Sequence, residues 1–184
     1  MTEKHKLGML FFLASEVAFF SMLILAYLYF IGAEANGPNA ATALDPATTA
    51  IFTVALLASS FTLWRAQKSI EHGKQGGLRI WLLATIVLGA IFIGGQGWEW
   101  AGLIRDKVTI SNSLFGTTFF TLTGFHGLHV ISGLIVLLIL FILALAGSLN
   151  QARAHALATV ELYWHFVDVV WIVIFSLLYV WPHL

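Results

Sequence analysis

Five long apolar blocks, separated by short polar stretches, make up nearly all of this chain. Each block is about as long as, or longer than, the roughly 20 apolar residues that a helix needs to cross a bilayer. The pattern therefore predicts an all-α polytopic membrane protein, built as a bundle of five transmembrane helices. The predicted helices cover residues of about 7–31, 47–67, 78–103, 113–146 and 155–181.

Local signals indicate where some of these helices begin and end. Asp45 followed by Pro46 is typical of a helix start, with the aspartate as cap and the proline in the first turn. Pro182 is expected to mark the end of the fifth helix. The fourth predicted helix is long for one crossing, so we expect it to tilt or to project from the bilayer.

The first apolar run, residues 7–32, has one feature of a secretory signal, because the small residues Ala33-Glu34-Ala35 follow it. It is too long for the apolar part of a signal, which has about 7–15 residues, and it contains Glu16. We expect it to remain as the first span. No repeat, low-complexity tract or linker divides the chain, so residues 1–184 are predicted to form one transmembrane domain.

Composition supports this class and excludes others. Hydrophobic residues make up 59% of the chain and charged residues 10%, whereas a soluble domain carries roughly 25% charged residues. The formal net charge is zero and no basic cluster is present, so nucleic-acid binding has no support. The absence of cysteine excludes disulfides, thiolate-bound metal centres and covalently attached c-type haem.

Positive charges predict the orientation of the bundle, because cytoplasmic loops carry the excess of lysine and arginine. Of the nine such residues, two, Arg105 and Lys107, lie on the side opposite the N-terminus. The N-terminus is therefore predicted to be cytoplasmic. The other seven lie on the N-terminal side: Lys4, Lys6, Arg65, Lys68, Lys74, Arg79 and Arg153.

The fourth predicted helix carries two histidines, His126 and His129, within the string GTTFFTLTGFHGLHVISG. They are three residues apart, so both imidazoles share a face. Small residues around them, such as Gly127 and Gly133, allow close helix contacts in a membrane. The two histidines are candidates for metal or haem ligation or for proton transfer, and interhelical hydrogen bonding that fixes packing is the simpler interpretation. A His-x-x-His pair without a third ligand is a weak metal signal.

The fifth predicted helix carries a second polar cluster, in ELYWHFVDVVW. Glu161, His165 and Asp168 fall at i, i+4 and i+7, which places them on one stripe of the helix. Asp168 could accept a proton from His165 and fix its tautomer. A carboxylate-bridged di-metal site needs Glu-x-x-His on two helices, and this spacing and the lack of an acid in the fourth helix count against it.

Two further helices place acids inside the membrane region. Glu16 lies well inside the first span, where a carboxyl group is either protonated or paired. It is a candidate for proton handling or lipid contact, with an interhelical hydrogen bond as the alternative. Gln96 and Glu99 share a face near the outer end of the third helix, where an interfacial helix end is the simpler interpretation.

Three of these segments together resemble subunit III of the haem–copper terminal oxidases, the cytochrome c oxidase subunit III family. They are residues 116–133, residues 161–181 and the SEVAFF string that carries Glu16. A weaker similarity involves Gln96 and Glu99. Longer family members have two additional N-terminal helices, so this chain resembles the short five-helix bacterial form.

The resemblance implies a supporting role. Subunit III holds no haem or copper, packs against the catalytic subunit I, and is associated with lipid binding, proton uptake and durability of the complex. Glu16 then corresponds to the family's intramembrane carboxylate. The remaining motif positions, for which packing is the first expectation, are Gln96, Glu99, His126, His129, Glu161, His165 and Asp168.

Further expectations follow from the resemblance. No cofactor is expected in this chain, and haem and copper are expected in partner subunits. The partners would be subunit I, subunit II and membrane phospholipid, in a bacterial inner membrane. The alternatives are a stand-alone membrane haem or metal protein and a small proton-coupled transporter. Within the family, an accessory subunit of a quinol oxidase or a nitric oxide reductase is also open.

Overall fold

The computed structural model describes residues 3–31 and 38–184, with the side chains of residues 7–31, 38–182 and 184. Every regular element in these ranges is helical. The small-residue string at residues 33–35 lies outside the described residues. Five long helices form the bundle: α1 (Glu3–Phe30), α2 (Pro46–Glu71), α3 (Gln75–Arg105), α4 (Leu114–Leu145) and α5 (Ala154–Phe175).

All five helices are long and apolar enough to cross a membrane. Their bounds lie within about four residues of the expected ones at nearly every end, and the exception is the end of α5. Its α-helical geometry ends at Phe175 and continues as a π-helical turn (Ser176–Val180) and a 3-10 turn (Trp181–His183). Pro182 thus follows an already altered helix rather than a regular one.

Capping explains why two of the helices begin where they do. Asp45 Oδ1 accepts a hydrogen bond of 3.0 Å from the backbone N–H of Ala47, with Pro46 as the first helical residue. The hydroxyl of Thr48 also donates to the Asp45 carboxylate and, as the largest cause, holds the pKa of Asp45 below its usual value. At α4, Ser113 Oγ accepts from the backbone N–H of Gly116 at 2.9 Å.

Sharp turns connect the helices on the side where α2 ends and α5 begins. Gly73 and Gly147 have φ of 69° and 72°, in the left-handed region that favours glycine after a helix. The Gln151 side chain donates to the backbone oxygen of Glu71 at 2.6 Å, and Arg79 Nε donates to that of Ala144 at 3.0 Å. These bonds hold the two loops of this end together.

The helices α4 and α5 form the centre of the bundle. Each packs against α1 and against the other, while α2 packs against α3 and α5, and α3 also packs against α4. In the most apolar 18-residue window, 44% of α5 residues are buried but only 11% of α1 residues. The first helix is therefore peripheral, with most of its surface left for lipid or another protein.

Tryptophan side chains fill the core where glycines open space for them. Trp164 of α5 is fully buried and lies between Gly89 of α3 and Gly133 of α4. A Cβ added at Gly133 would lie 2.8 Å from the Trp164 ring, and one at Gly89 would lie 3.1 Å from it. Gly124 of α4 likewise faces a tryptophan, because a Cβ built there would lie 3.2 Å from Trp100, whereas no atom lies within 4 Å of a Cβ built at Gly127.

Candidate functional site: polar side chains within the bundle

The first polar contact joins the peripheral helix α1 to α4. Glu16 Oε2 lies 3.0 Å from His129 Nε2, and His129 Nδ1 lies 2.7 Å from the backbone oxygen of Phe125. Both side chains are largely covered, with 17% of Glu16 and 16% of His129 exposed. The Phe19 and Phe20 rings pack against the imidazole. Glu16 and His129, which are far apart in the sequence, thus form one polar pair between α1 and α4.

The partners of His129 determine how protons are placed in this unit. A carbonyl oxygen only accepts hydrogen bonds, so Nδ1 of His129 carries a proton. The contact between Nε2 and Glu16 then has one more proton, held either by the carboxyl or by the imidazole. In both arrangements the pair has no net charge, which is the state that a low-dielectric site favours.

His126 has entirely different surroundings, although it is only one turn away. The residue is fully buried. Its ring stacks on Trp171 at a centroid distance of 4.8 Å, and it makes edge-to-face contacts with Phe20 and Phe92. Neither ring nitrogen has a hydrogen-bond partner among the described residues. His126 therefore packs as an aromatic side chain.

The stripe of α5 meets a serine of α2. Ser60 Oγ lies 2.8 Å from His165 Nδ1 and donates a hydrogen bond to Asp168 Oδ2. The expected contact between His165 and Asp168 thus runs through the serine hydroxyl rather than directly. Glu161 Oε1 lies 3.7 Å from His165 Nε2. Asp168 is 4% exposed, and its Oδ1 has no partner among the described residues.

A third polar cluster surrounds Glu99 near the C-terminal end of α3. Tyr179 donates its hydroxyl to Glu99 Oε2 at 2.5 Å, Thr49 donates to Oε1 at 3.0 Å, and Gln96 donates to Oε2 at 3.4 Å. This carboxyl group therefore ties together α2, α3 and the turn that follows α5. Gln96 and Glu99 share a face of α3, and Thr49 and Tyr179 supply the other hydrogen bonds to the Glu99 carboxyl group.

The hydroxyl side chains of α2 were not among the residues predicted from the sequence. Besides Ser60, Thr53 accepts from Trp171 Nε1 at 3.0 Å and Ser59 accepts from Trp164 Nε1 at 2.9 Å. A signal was present, because Thr49, Thr53 and Ser60 recur at spacings of four and seven residues. Such spacing places them on one face of a helix.

Metal ligation was one of the open interpretations of the histidines. Among the described side chains, those of residues 7–31, 38–182 and 184, no three from His, Cys, Asp or Glu come together as a metal site. The polar groups form pairs and short hydrogen-bonded chains between neighbouring helices instead. Chemically, this arrangement can hold protons within such pairs and fix the positions of the helices.

The sequence model of the family described as cytochrome c oxidase subunit III matches residues 1–183. The chain belongs to this family. A Nocardia farcinica protein named "Probable cytochrome c oxidase subunit 3" is 41% identical over 175 residues, which are 94% of this chain and 85% of the relative. The cytochrome c oxidase subunit 3 of Thermostichus vulcanus is 36% identical over 175 residues, 95% of this chain and 86% of the relative.

A Mycobacterium tuberculosis relative with the same name as the Nocardia protein is 37% identical over 174 residues, 94% of this chain and 85% of its own length. The resemblance seen in the three sequence segments thus extends over the whole chain. With five apolar helices of sufficient length, this member of the cytochrome c oxidase subunit III family is a multi-pass membrane protein.

Proposed function

We propose that this chain is the non-catalytic subunit III of a respiratory haem–copper oxidase complex in a bacterial inner membrane. In such a complex, electron transfer to oxygen is coupled to proton pumping, and haem and copper belong to other subunits. The single observation that carries the proposal is the family match over residues 1–183. Relatives with this subunit name in several bacteria support the assignment of compartment.

The geometry supports a structural contribution of this subunit. Its intramembrane imidazoles are committed to internal contacts: His129 to Glu16, His165 to Ser60, and His126 to a wall of aromatic rings. Large apolar side chains remain exposed along all five helices. A surface of this kind suits packing against subunit I, contact with subunit II and binding of phospholipid.

Glu16 is the residue that we associate with proton uptake and lipid contact. It lies on the least buried helix, and its Oε2 lies 3.0 Å from His129 Nε2. A neutral pair near the lipid-facing edge can exchange a proton without exposing a full charge to the hydrocarbon. The remaining motif residues, Gln96, Glu99, Glu161, His165 and Asp168, are assigned to positioning of the helices.

The test is isolation of the chain from native membranes. A tag at the N-terminus, mild detergent, a reduced-minus-oxidised spectrum and mass spectrometry of the accompanying proteins give the outcome. We expect haem absorbance together with a large polytopic partner. Deletion of the chain is expected to leave electron transfer intact at first but to shorten the lifetime of activity during turnover.

Other results would contradict the proposal in different ways. Haem absorbance on the chain alone would favour a stand-alone haem protein. A colourless, solitary chain that conducts protons in vesicles would favour a transporter. The identity of the accompanying subunits and haems would also distinguish cytochrome c oxidase from quinol oxidase and from nitric oxide reductase.

A further inference from the structure

A cavity lies at the end of the bundle where α1 ends and α4 begins. Its volume is about 460 Å³, which is within the range of roughly 300–1,000 Å³ that is usual for small-molecule sites. The last turn of α1, the first turns of α4 and the turns that follow α5 enclose it. A short helix (Ala40–Ala43) and the residues just before it form the remaining wall.

Apolar groups make up most of the cavity wall, and aromatic rings reach it from three elements. Tyr27 and Phe30 belong to α1, Phe115 to α4, and Trp181 to the turn after α5. Filling the cavity with water would take roughly 15 molecules, and most of the wall offers them no hydrogen bond. Apolar cavities bind apolar molecules instead. Because aromatic rings pack best in offset or edge-to-face contacts with other rings, this wall favours a flat ring as the occupant.

The polar groups of the wall are hydrogen-bond donors without an acceptor. Tyr27 is only 3% exposed, yet its hydroxyl makes no hydrogen bond with any described residue, and its oxygen is not completely covered. Asn39 Oδ1 accepts from the backbone N–H of Thr42 at 3.1 Å, which leaves the Asn39 amide N–H groups for another acceptor. Thr118 donates its hydroxyl proton to the backbone oxygen of Leu114 at 3.0 Å, so it adds no donor. The missing partner is therefore an acceptor.

We propose that this cavity binds a lipophilic compound with a flat, carbonyl-bearing ring, the chemistry of a membrane quinone, and that Tyr27 donates a hydrogen bond to a ring carbonyl. A quinone ring matches the aromatic wall, its carbonyl oxygens only accept hydrogen bonds, and its apolar tail can leave along the largely unburied surface of α1. The ester carbonyls of a phospholipid also accept hydrogen bonds, but its flexible chains offer no ring to the aromatic wall. The inference concerns binding without any redox step and goes beyond the proposed function.

The first test labels the site in the purified native complex. The probe is a benzoquinone that carries an azido group and a short alkyl tail, and mass spectrometry locates the label after illumination. We expect the label within residues 27–31 or 114–118 of this chain, and we expect an excess of the same quinone without the azido group to prevent it. An excess of short-chain phosphatidylglycerol should not prevent it.

Two outcomes of the labelling would overturn the inference. One is label on other subunits without label on this chain. The other is label that phosphatidylglycerol displaces as well as the quinone does, which would identify the occupant as a phospholipid. If no haem-bearing partner co-purifies, the proposed function fails, while labelling of this chain still decides the present inference.

The second test removes a single hydroxyl group. Tyr27→Phe keeps the ring, and the lost hydroxyl has no partner among the described residues, so assembly should be unchanged. Labelling by the quinone should fall by about three- to tenfold, the worth of one hydrogen bond. The matched control is Tyr29→Phe, the same change on the same helix at a residue that is 80% exposed. Undiminished labelling in Tyr27→Phe, or an equal loss in Tyr29→Phe, would contradict the role of Tyr27.

Discussion

The two sides of the bundle hold their helices together in different ways. Between α2 and α5, hydroxyl groups of α2 meet Trp164, Trp171, His165 and Asp168 in a series of hydrogen bonds. Between α1 and α4, the polar contact that the described side chains provide is the single pair formed by Glu16 and His129. Burial follows the same division, at 44% of the window in α5 and 11% in α1.

This difference matters because lipid removes the usual hydrophobic driving force between helices. Van der Waals packing and interhelical hydrogen bonds then decide which helices stay together. On the α2–α5 side these contacts are distributed over several turns, so the helices form one stable unit. On the α1 side they are concentrated at one point. We therefore expect α1 to open locally at a lower free energy than α5.

The largest effect is expected from Trp164→Ala. The change removes a fully buried ring that packs between glycines of two helices, and it leaves Ser59 without its indole partner. The free energy of unfolding should fall by about 3–5 kcal/mol, measured by denaturation of the purified protein. Trp98→Ala is the matched control, because Trp98 is 78% exposed. Similar losses in both variants would refute the central role of Trp164.

Asp168→Leu should have the next largest effect. Leucine cannot accept the Ser60 hydroxyl proton, so the chain of contacts to His165 is left unsatisfied in a low-dielectric site, at a cost of about 1–3 kcal/mol. Assembly into the complex is expected to be impaired, as seen by the amount of this chain that co-purifies. Asp168→Asn keeps an acceptor and the side-chain shape and should assemble nearly normally. Assembly of the leucine variant at unmodified levels would contradict this prediction.

A comparable effect is expected where the close approach of a ring to the α4 backbone is disturbed. Gly133→Ala places a Cβ 2.8 Å from the Trp164 ring, and such overpacking costs about 1–3 kcal/mol. Thermal stability of the purified protein should fall. Gly127→Ala, in the same helix, has no atom within 4 Å of its new Cβ and should be neutral or slightly stabilising. A similar loss in the Gly127 variant would show that α4 is sensitive to any added methyl group, and not specifically to the contact between Gly133 and Trp164.

The peripheral side of the bundle can be tested with two variants of Glu16. Glu16→Leu removes the polar contact with His129 and should lower the free energy of local opening of α1 by about 1–2 kcal/mol. Glu16→Gln keeps the shape and an N–H donor for His129 Nε2, so assembly should be preserved. Hydrogen exchange along α1, followed by mass spectrometry, measures the difference. Unchanged exchange in the leucine variant would mean that apolar packing alone holds α1.

Helix number and most helix ends could be predicted from the sequence, since apolar length and the cap at Asp45 are local signals. The change of helix geometry after Phe175 could not be predicted, because Pro182 indicates a helix end only in its own immediate neighbourhood. The pairs within one helix, such as Glu161 with His165, follow from spacing. Contacts between helices, such as Glu16 with His129, depend on which faces meet, and no local pattern contains that information.

The role of the hydroxyls in α2 shows a second limit of sequence reasoning. Asp168 and His165 could be predicted as polar candidates because they are titratable. Ser60, the residue that connects them, was not predicted. Serine and threonine are common in transmembrane helices and stand out only when their spacing is examined. The same reasoning grouped His126 with His129 because they share a face, although their surroundings in the bundle have little in common beyond Phe20.

The smallest expected effect separates those two histidines. His126→Phe keeps an aromatic ring against Trp171 and removes two buried nitrogens that have no partner among the described residues. Replacing an unsatisfied polar group by an apolar one of similar shape is close to neutral or stabilising, so stability should change by less than about 1 kcal/mol. His129→Phe, by contrast, breaks the link to Glu16 and should increase exchange in α1. Failure of the His126 variant to assemble would mean that the assembled complex supplies this imidazole with a water or a partner that the isolated bundle lacks.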